Sequence, residues 1–324
     1  MKWIQRACRI VLLSFCASNP VTAFVFLGYA IHRQRALVFG DRQAAHLVRN
    51  PDNAKVLARW FGSLWTNFKT GIHTAFASAM LVLPSAVLML TSWYAGWNNS
   101  FNKGYEYAFV GPVTGLAGLF LAMLTMTYLP VAQARFATTR QWRDLYDWHT
   151  NLQIIVCHPF RLFVHAFLGA MIGGILLFAR GMPTFFGGNI APDANPAGLL
   201  TFWFLIIGLV FVPLYLVFKD TSAKSYHSGL TRALTKRFLN VDDLHPDEQL
   251  LSHRTPLDGA NEGEGLRYRP LSRIRVFFTL LVAAILWFPA FAMLYMQQFL
   301  NYLGAWGWLN YPLVWVPLIA YGPG

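Results

Sequence analysis

Charged side chains are scarce in this 324-residue chain: Asp, Glu, Lys and Arg make up 12% of it, while apolar residues make up 56%. Soluble domains average roughly 25% charged residues. A composition this poor in charge is a bad fit to a soluble enzyme, a disordered chain or a coiled coil. It predicts an integral membrane protein instead.

Cysteine is also rare, and acidic residues are outnumbered by basic ones. The three cysteines, Cys8, Cys16 and Cys157, have no paired spacing, which excludes a disulfide framework and a zinc motif, so we predict no metal site. The net charge of +12 could indicate nucleic acid. In a membrane protein it is better explained by cytoplasmic loops that face anionic lipid, and we predict no nucleic-acid partner.

Long apolar runs predict an all-α polytopic membrane bundle of about six transmembrane helices with interfacial amphipathic helices. The six segments are 10–31, 72–93, 108–132, 160–179, 197–218 and 276 to about 300. The first is interrupted by Ser18-Asn19-Pro20, so it either spans or re-enters; the charge distribution favours spanning. The last apolar stretch, 303–321, fits an external aromatic cap better than a full span.

Lysine and arginine predict the orientation. Stretches 32–70, 135–161 and 219–275 hold seven, four and ten of them, whereas 94–107 and 180–196 hold one each. The rich side is expected to be cytoplasmic in a bacterial inner membrane, with the C-terminus periplasmic. The predicted regions are 1–31, a first membrane segment; 32–71, an amphipathic region; 72–134, a hairpin; 135–159, an interfacial helix; 160–218, a second hairpin; 219–275, a helix and flexible linker; and 276–324, a last span and cap.

A basic amphipathic helix is predicted ahead of the second segment. Asn50-Pro51-Asp52 is typical of a helix start. One apolar face follows, formed by Leu57, Trp60, Phe61, Leu64, Trp65 and Phe68. Such a helix packs beneath the bundle or lies in the headgroup region. In the second case its lipid or partner face comprises Lys55, Arg59, Trp60, Trp65 and Lys69.

Two weaker copies of this pattern precede the fourth and sixth segments. Trp142, Leu145, Tyr146, Leu152 and Val156 mark one; Leu230, Leu234 and Phe238 mark the other. The acidic stretch 241–265, punctuated by Gly and Pro, is typical of a mobile linker.

Catalytic motifs are missing: the sequence contains no nucleophile elbow, HExxH or P-loop. No Asp, Glu, Lys or Arg lies deep in a predicted span, which argues against proton-coupled transport. Histidine is the remaining candidate. His73 and His165 could hold a haem between two helices, although a hydrogen bond from His165 to a neighbouring helix is the favoured interpretation. We therefore predict no catalytic residue and no cofactor, with haem or quinone as a minor alternative.

Small residues recur at helical spacing in two segments. Gly111 and Gly115, and Gly169 and Gly173, form GxxxG patterns that let helix backbones approach closely in lipid. They predict packing within the bundle or against another subunit, and the sequence leaves both open.

A resemblance extends over roughly residues 70–180. The runs Tyr128-Leu129-Pro130, Arg135-Phe136-Ala137, Leu145-Tyr146-Asp147 and His158-Pro159-Phe160 resemble those of a family of uncharacterised prokaryotic integral membrane proteins. The resemblance implies a multi-span inner-membrane fold, and it transfers no catalytic residue.

These observations predict a non-enzymatic scaffold or accessory subunit of a membrane protein complex, with other subunits and anionic lipids as partners. A transporter or channel for a lipid or apolar solute is the first alternative. A haem- or quinone-binding redox protein is the second.

Overall fold

Helices account for every regular element in the computed structural model, which describes residues 2–40, 56–94, 110–185, 205–253, 272–300 and 313. Their bounds are α1 Lys2–Ser18, α2 Pro20–Val38, α3 Val56–Trp93, α4 Val110–Thr139, α5 Trp142–Leu145, α6 Trp148–Cys157, α7 Pro159–Phe185, α8 Val212–Thr235, α9 Pro246–His253, α10 Arg273–Leu286 and α11 Phe288–Leu300. A π-helical turn, Ile207–Phe211, leads into α8, and a 3-10 turn, Val241–Asp243, precedes α9. The all-α class is therefore confirmed for these residues.

Three helices are long and apolar enough to cross a membrane: Phe61–Ser92, Val110–Thr139 and Pro159–Leu176. A fourth crossing is available if Arg273–Leu286 and Phe288–Leu294 form one span, bent by 48°. Both counts cover only the described residues, which leave out the start of the fifth predicted segment and nearly all of the predicted cap. The apolar helices are compatible with a membrane protein, and the number of six spans stays a prediction.

The first predicted segment is two antiparallel helices. Asn19 ends α1 and caps α2, with its side chain accepting from the Val21 N–H, and Pro20 takes the first helical position. Arg9 Nη1 then lies 3.5 Å from the Tyr29 hydroxyl, whereas 20 residues of straight helix would separate them by about 30 Å. The expected continuous span over 10–31 is therefore wrong, because the chain reverses direction at Asn19.

The predicted amphipathic helix and the second span are one helix, α3, of 38 residues. The helix passes through residue 71 without a break, and Gly71 lies where α3 packs against α2. A Cβ atom on Gly71 would lie 1.8 Å from the Phe24 carbonyl oxygen, and one on Gly28 would lie 1.8 Å from that of Asn67. The backbones of α2 and α3 therefore touch at two points, which only glycine permits.

Helix α4 lies at the centre of the bundle, against α2, α3, α5, α6 and α8 to α11. Every residue from 128 to 139 is buried, on all sides of the helix. Protein therefore surrounds the second half of α4, and the polar residues there must find partners inside the bundle.

The helix expected over 142–156 is broken and largely internal. Asp147 ends the short α5 region and caps α6, its Oδ1 accepting from the Thr150 N–H at 3.1 Å. Residues 153–157 of α6 are buried. Helices α8 and α10 both pack on α6 and cover it, and the placement of this region at the membrane interface stays a prediction.

The third predicted surface helix and the linker are also corrected. Leu230 and Leu234 are buried within α8, which continues the fifth segment without a break. After it, α9 docks on α4, and its Glu248 is 0% exposed. The stretch 241–253 is thus ordered because an acidic side chain reaches a buried partner; 254–265 lies outside the described residues.

Candidate functional site: a buried polar centre

Two groups of buried polar side chains meet α4 near its C-terminal end. We call Arg135, Asp147, Asn151, Tyr226 and Glu248 the ionic cluster. We call Gln34, Ser78, Gln133, Tyr215 and Lys219 the lysine cluster. Helix α8 contributes to both from one face, since residues 215, 219 and 226 are spaced by four and seven along it.

Arg135 is the centre of the ionic cluster. Its Nε and Nη2 donate to the two carboxylate oxygens of Glu248, at 2.9 and 3.3 Å, and its Nη1 donates to Asp147 at 2.9 Å. A second Nη1 contact, at 3.4 Å, reaches the Asn151 amide oxygen. A paired, planar guanidinium–carboxylate contact is the arrangement that best offsets the cost of burying both charges.

Glu248 is satisfied on every side. The Tyr226 hydroxyl donates to its Oε1 at 2.6 Å, and the His245 backbone N–H donates to its Oε2 at 3.2 Å. Burial and the adjacent Glu248 charge raise the pKa of Tyr226 well above its usual value, which keeps the hydroxyl a proton donor. Glu248 therefore joins α9 to α4 and α8.

Asp147 and Asn151 extend the cluster to α6. Partial burial opposes the charged form of Asp147, but hydrogen bonds from Thr150 and Arg135 outweigh it and lower the pKa of Asp147. The Asn151 amide donates to the Tyr128 hydroxyl at 2.8 Å, which itself donates to the Leu145 carbonyl. Because the charges of Arg135 and Glu248 pair with each other, this arrangement suits a structural role.

Lys219 is buried in a different setting. It is 0% exposed, its Nζ donates to the Gln133 side chain, and the ammonium lies 5.4 Å from the Tyr215 ring centroid. Among the residues that the structure describes, Lys219 forms no ion pair. A buried cation without a carboxylate is costly, and in an apolar bundle such a group is a functional candidate.

Polar atoms around Lys219 are left without partners. Gln34 donates to the Lys219 carbonyl at 3.1 Å, yet its own Oε1 is buried and unbonded within the described part of the chain. The Tyr215 hydroxyl is buried and unbonded in the same sense. Gln133 continues the cluster to the Ser78 hydroxyl at 2.7 Å. These groups could hydrogen-bond water or a small polar group beside the ammonium.

Sequence reasoning missed both clusters. Lys219 directly follows the fifth apolar segment, and this position predicts a cytoplasmic loop. Glu248 stands in an acidic stretch that is typical of a linker. Its place three residues after His245, at a helix start, is nevertheless a capping signal. Neither position reveals burial without the helices that cover it.

The two predicted histidines are not brought together. His165 is buried, stacked on Phe218 at 4.9 Å between ring centroids, with Nδ1 3.2 Å from the Thr221 hydroxyl. His73 is exposed on α3, and α3 shares no substantial interface with α7 in the described residues. The contact to Thr221 is the favoured hydrogen bond to a neighbouring helix, and a haem between His73 and His165 stays a prediction.

The predicted lipid or partner face is partly described. Trp65 is exposed, and the Lys69 ammonium lies 5.3 Å from its ring centroid. Leu64 and Phe68 turn inward and pack against the core. Lys55 and the side chains of Arg59 and Trp60 lie outside the described residues.

The four predicted packing glycines lie at helix contacts or are buried. A Cβ on Gly169 would lie 2.1 Å from the Trp287 ring, and one on Gly173 would touch Ala290 at 3.4 Å. Gly111 is buried and accepts from the Ser92 hydroxyl at 2.6 Å, and Gly115 is buried one turn later. The Gly169 stripe therefore faces α10 and α11 of the same chain.

Comparison with protein-family models, with curated proteins and with solved structures found no match. The resemblance over residues 70–180 accordingly stays a prediction.

Proposed function

We propose that this chain is a non-enzymatic integral protein of a bacterial inner membrane that serves as a scaffold or accessory subunit of a membrane protein complex. The observation that carries the proposal is the ionic cluster, which ties α4, α6, α8 and α9 into one arrangement. A buried, fully paired network favours a single rigid structure over a moving part.

Next to the ionic cluster, the protein surface has the residue composition of a binding face. Trp142 on α5 and Trp148 at the start of α6 are 60% and 51% exposed, next to the exposed Arg143. Tryptophan and arginine are enriched among the residues that carry binding energy at protein interfaces. A rigid base that presents them supports recognition of another subunit.

Purification in a mild detergent tests this function. A stoichiometric partner should co-purify with the wild-type chain, and the double variant Trp142→Ala/Arg143→Gln should lose it. The matched control is Met80→Ala, which removes a side chain similarly exposed on α3. A wild-type chain that purifies alone as a monodisperse monomer would contradict the proposal.

A second candidate is a transporter or channel for a lipid or apolar solute, and Lys219 favours it. A buried ammonium with unbonded polar neighbours supports passage or coupling better than it supports fold stability. Proteoliposomes carrying fluorescent phosphatidylglycerol measure lipid movement between leaflets. Lys219→Met should abolish that movement, whereas Lys224→Met, which changes an exposed lysine on the same helix, should preserve it. Equal movement in protein-free liposomes removes this candidate.

A further inference from the structure

The structure assembles a basic surface from three separate parts of the chain. Arg161 stands at the start of α7, Arg232 and Lys236 at the end of α8, and Arg275 at the start of α10; all four are exposed. We call these four residues the basic patch. Helices α7 and α10 both begin there and pack against each other, so the patch lies where two long apolar helices start.

The four cations surround the junction between α6 and α7. Burial lowers the pKa of His158, and the charges of Arg232, Arg161 and Lys236 lower it further. Burial raises the pKa of the Cys157 thiol to about 11, against the opposing effect of Arg275, Lys236 and Arg232. Helices α7, α8 and α10, whose ends carry the four cations, all pack against α6, so these charges converge on its C-terminal end. Arg161 also donates to the Lys224 carbonyl at 3.2 Å, which fixes the start of α7 against α8.

Among the described residues, the basic patch has no internal counter-charge. Within the described ranges, every ion pair involves other cations: Arg33 with Asp220, Arg35 with Asp247, Arg135 with its two carboxylates, and His245 with Asp247. Cations gathered at one point repel each other, and an anion placed among them relieves that repulsion.

Exposed apolar side chains adjoin the patch. Phe160 precedes Arg161, and Ile274, Phe277 and Phe278 flank Arg275 on α10; all four are exposed. A ligand that bridges these features has an anionic group for the cations and a hydrocarbon part for the rings. A free phosphate satisfies only the first condition.

We propose that the basic patch binds the headgroup of an anionic phospholipid, with an acyl chain lying along Phe160 and the start of α10. Basic pockets between helix ends at the membrane surface have the charge and depth that lipid phosphates require. The proposal depends on α7 and α10 entering a membrane and does not depend on a protein partner.

The test titrates the full-length chain, purified in an uncharged maltoside detergent, with dioleoyl phosphatidylglycerol and counts bound lipid by native mass spectrometry. Phosphatidylglycerol should bind at one site and phosphatidylcholine should not. Arg232→Gln/Lys236→Gln should weaken binding roughly 25-fold, at about fivefold for each cation removed near an anionic surface. Arg275→Gln alone should weaken it about fivefold.

The control variant is Arg140→Asn, which removes one exposed cation just beyond the C-terminal end of α4 and is compared with Arg275→Gln. Asparagine is chosen at position 140 because that residue has φ of 59°, which Asn tolerates. Equal loss of affinity in the control would overturn the proposal, since it would indicate general surface charge. Displacement of the lipid by glycerol 3-phosphate, or equal binding of phosphatidylcholine, would also overturn it.

Discussion

Arg135 and Lys219 are two buried cations in one bundle, and they are treated in opposite ways. Arg135 is 2% exposed and has two carboxylates and an amide around it, and one of those carboxylates, Glu248, is also bound by Tyr226. Lys219 is equally buried, with one amide oxygen and an aromatic ring. Arg135 is a charge that holds the fold together, whereas Lys219 is a charge that the fold tolerates. Function is expected at a buried charge of the second kind.

The largest expected effect comes from breaking the matched side. Glu248→Gln removes the carboxylate that pairs with Arg135 and leaves that cation buried with Asp147 alone. Loss of one partner of a buried pair costs about 3–5 kcal/mol, so the thermal midpoint in detergent should fall sharply. Asp247→Asn is the control, because its contact to Arg35 is 3.4 Å long and partly exposed. Equal midpoints for the two variants would show that Glu248 is not structural.

A smaller effect is expected when the elements that hold the ionic cluster are pushed apart. A Cβ on Gly229 of α8 would lie 2.3 Å from the Ile154 carbonyl oxygen of α6. Gly229→Ala should therefore separate these helices and destabilise the fold by about 1–3 kcal/mol. Gly174→Ala is the matched control, since nothing lies within 4 Å of its Cβ. A stable Gly229→Ala protein would mean that α6 and α8 can shift without cost.

Acid should reveal the contribution of Asp147. Its pKa is lowered in the folded state, so its stabilisation is fully present above the unfolded value of ~3.9 and is lost as the pH falls through the lower folded value. Asp147→Asn should cost about 1 kcal/mol at neutral pH, because the side chain is partly exposed. Unfolding midpoints measured from pH 7 to pH 3 should fall less steeply for this variant than for the wild type. Parallel curves would count against the ion pair.

Lys219→Met should have the smallest effect on stability. Removing a buried cation that has no carboxylate relieves its desolvation cost. The free energy of unfolding should therefore stay within about 1 kcal/mol of the wild-type value or rise. Arg135→Met, measured beside it, should be strongly destabilised because it strands two carboxylates. If Lys219→Met unfolds as readily as Arg135→Met, Lys219 stabilises the fold as much as Arg135 does.

Some features of the fold were predictable and others were not, for physical reasons. The apolar lengths of α3, α4 and α7 predict long helices, because the chain there has no other way to satisfy its backbone. The Asn19-Pro20 pair is a sequence signal for the reversal at Asn19, whereas the distribution of charges favours a continuous span. Gly71 makes a close contact inside one continuous helix α3, and its neighbour α2 decides this because it is distant in sequence.

The polar centre was beyond sequence reasoning because its members are far apart along the chain. Arg135 and Glu248 are separated by 113 positions, and Gln34 reaches Lys219 across 185. Local patterns place Glu248 in an acidic linker and Lys219 in a basic loop. Only the packing of α9 on α4, and of α2 on α8, removes both from solvent.

The low charge content alone determined that this is a helical chain with apolar helices suited to a membrane, because solvation of the backbone and of apolar surface depends on composition and length. The tertiary structure alone decided which of the few charges are buried, which are paired and which gather at the starts of α7 and α10. Burial and pairing are properties of contacts between distant segments, and a residue's own sequence neighbours do not specify them.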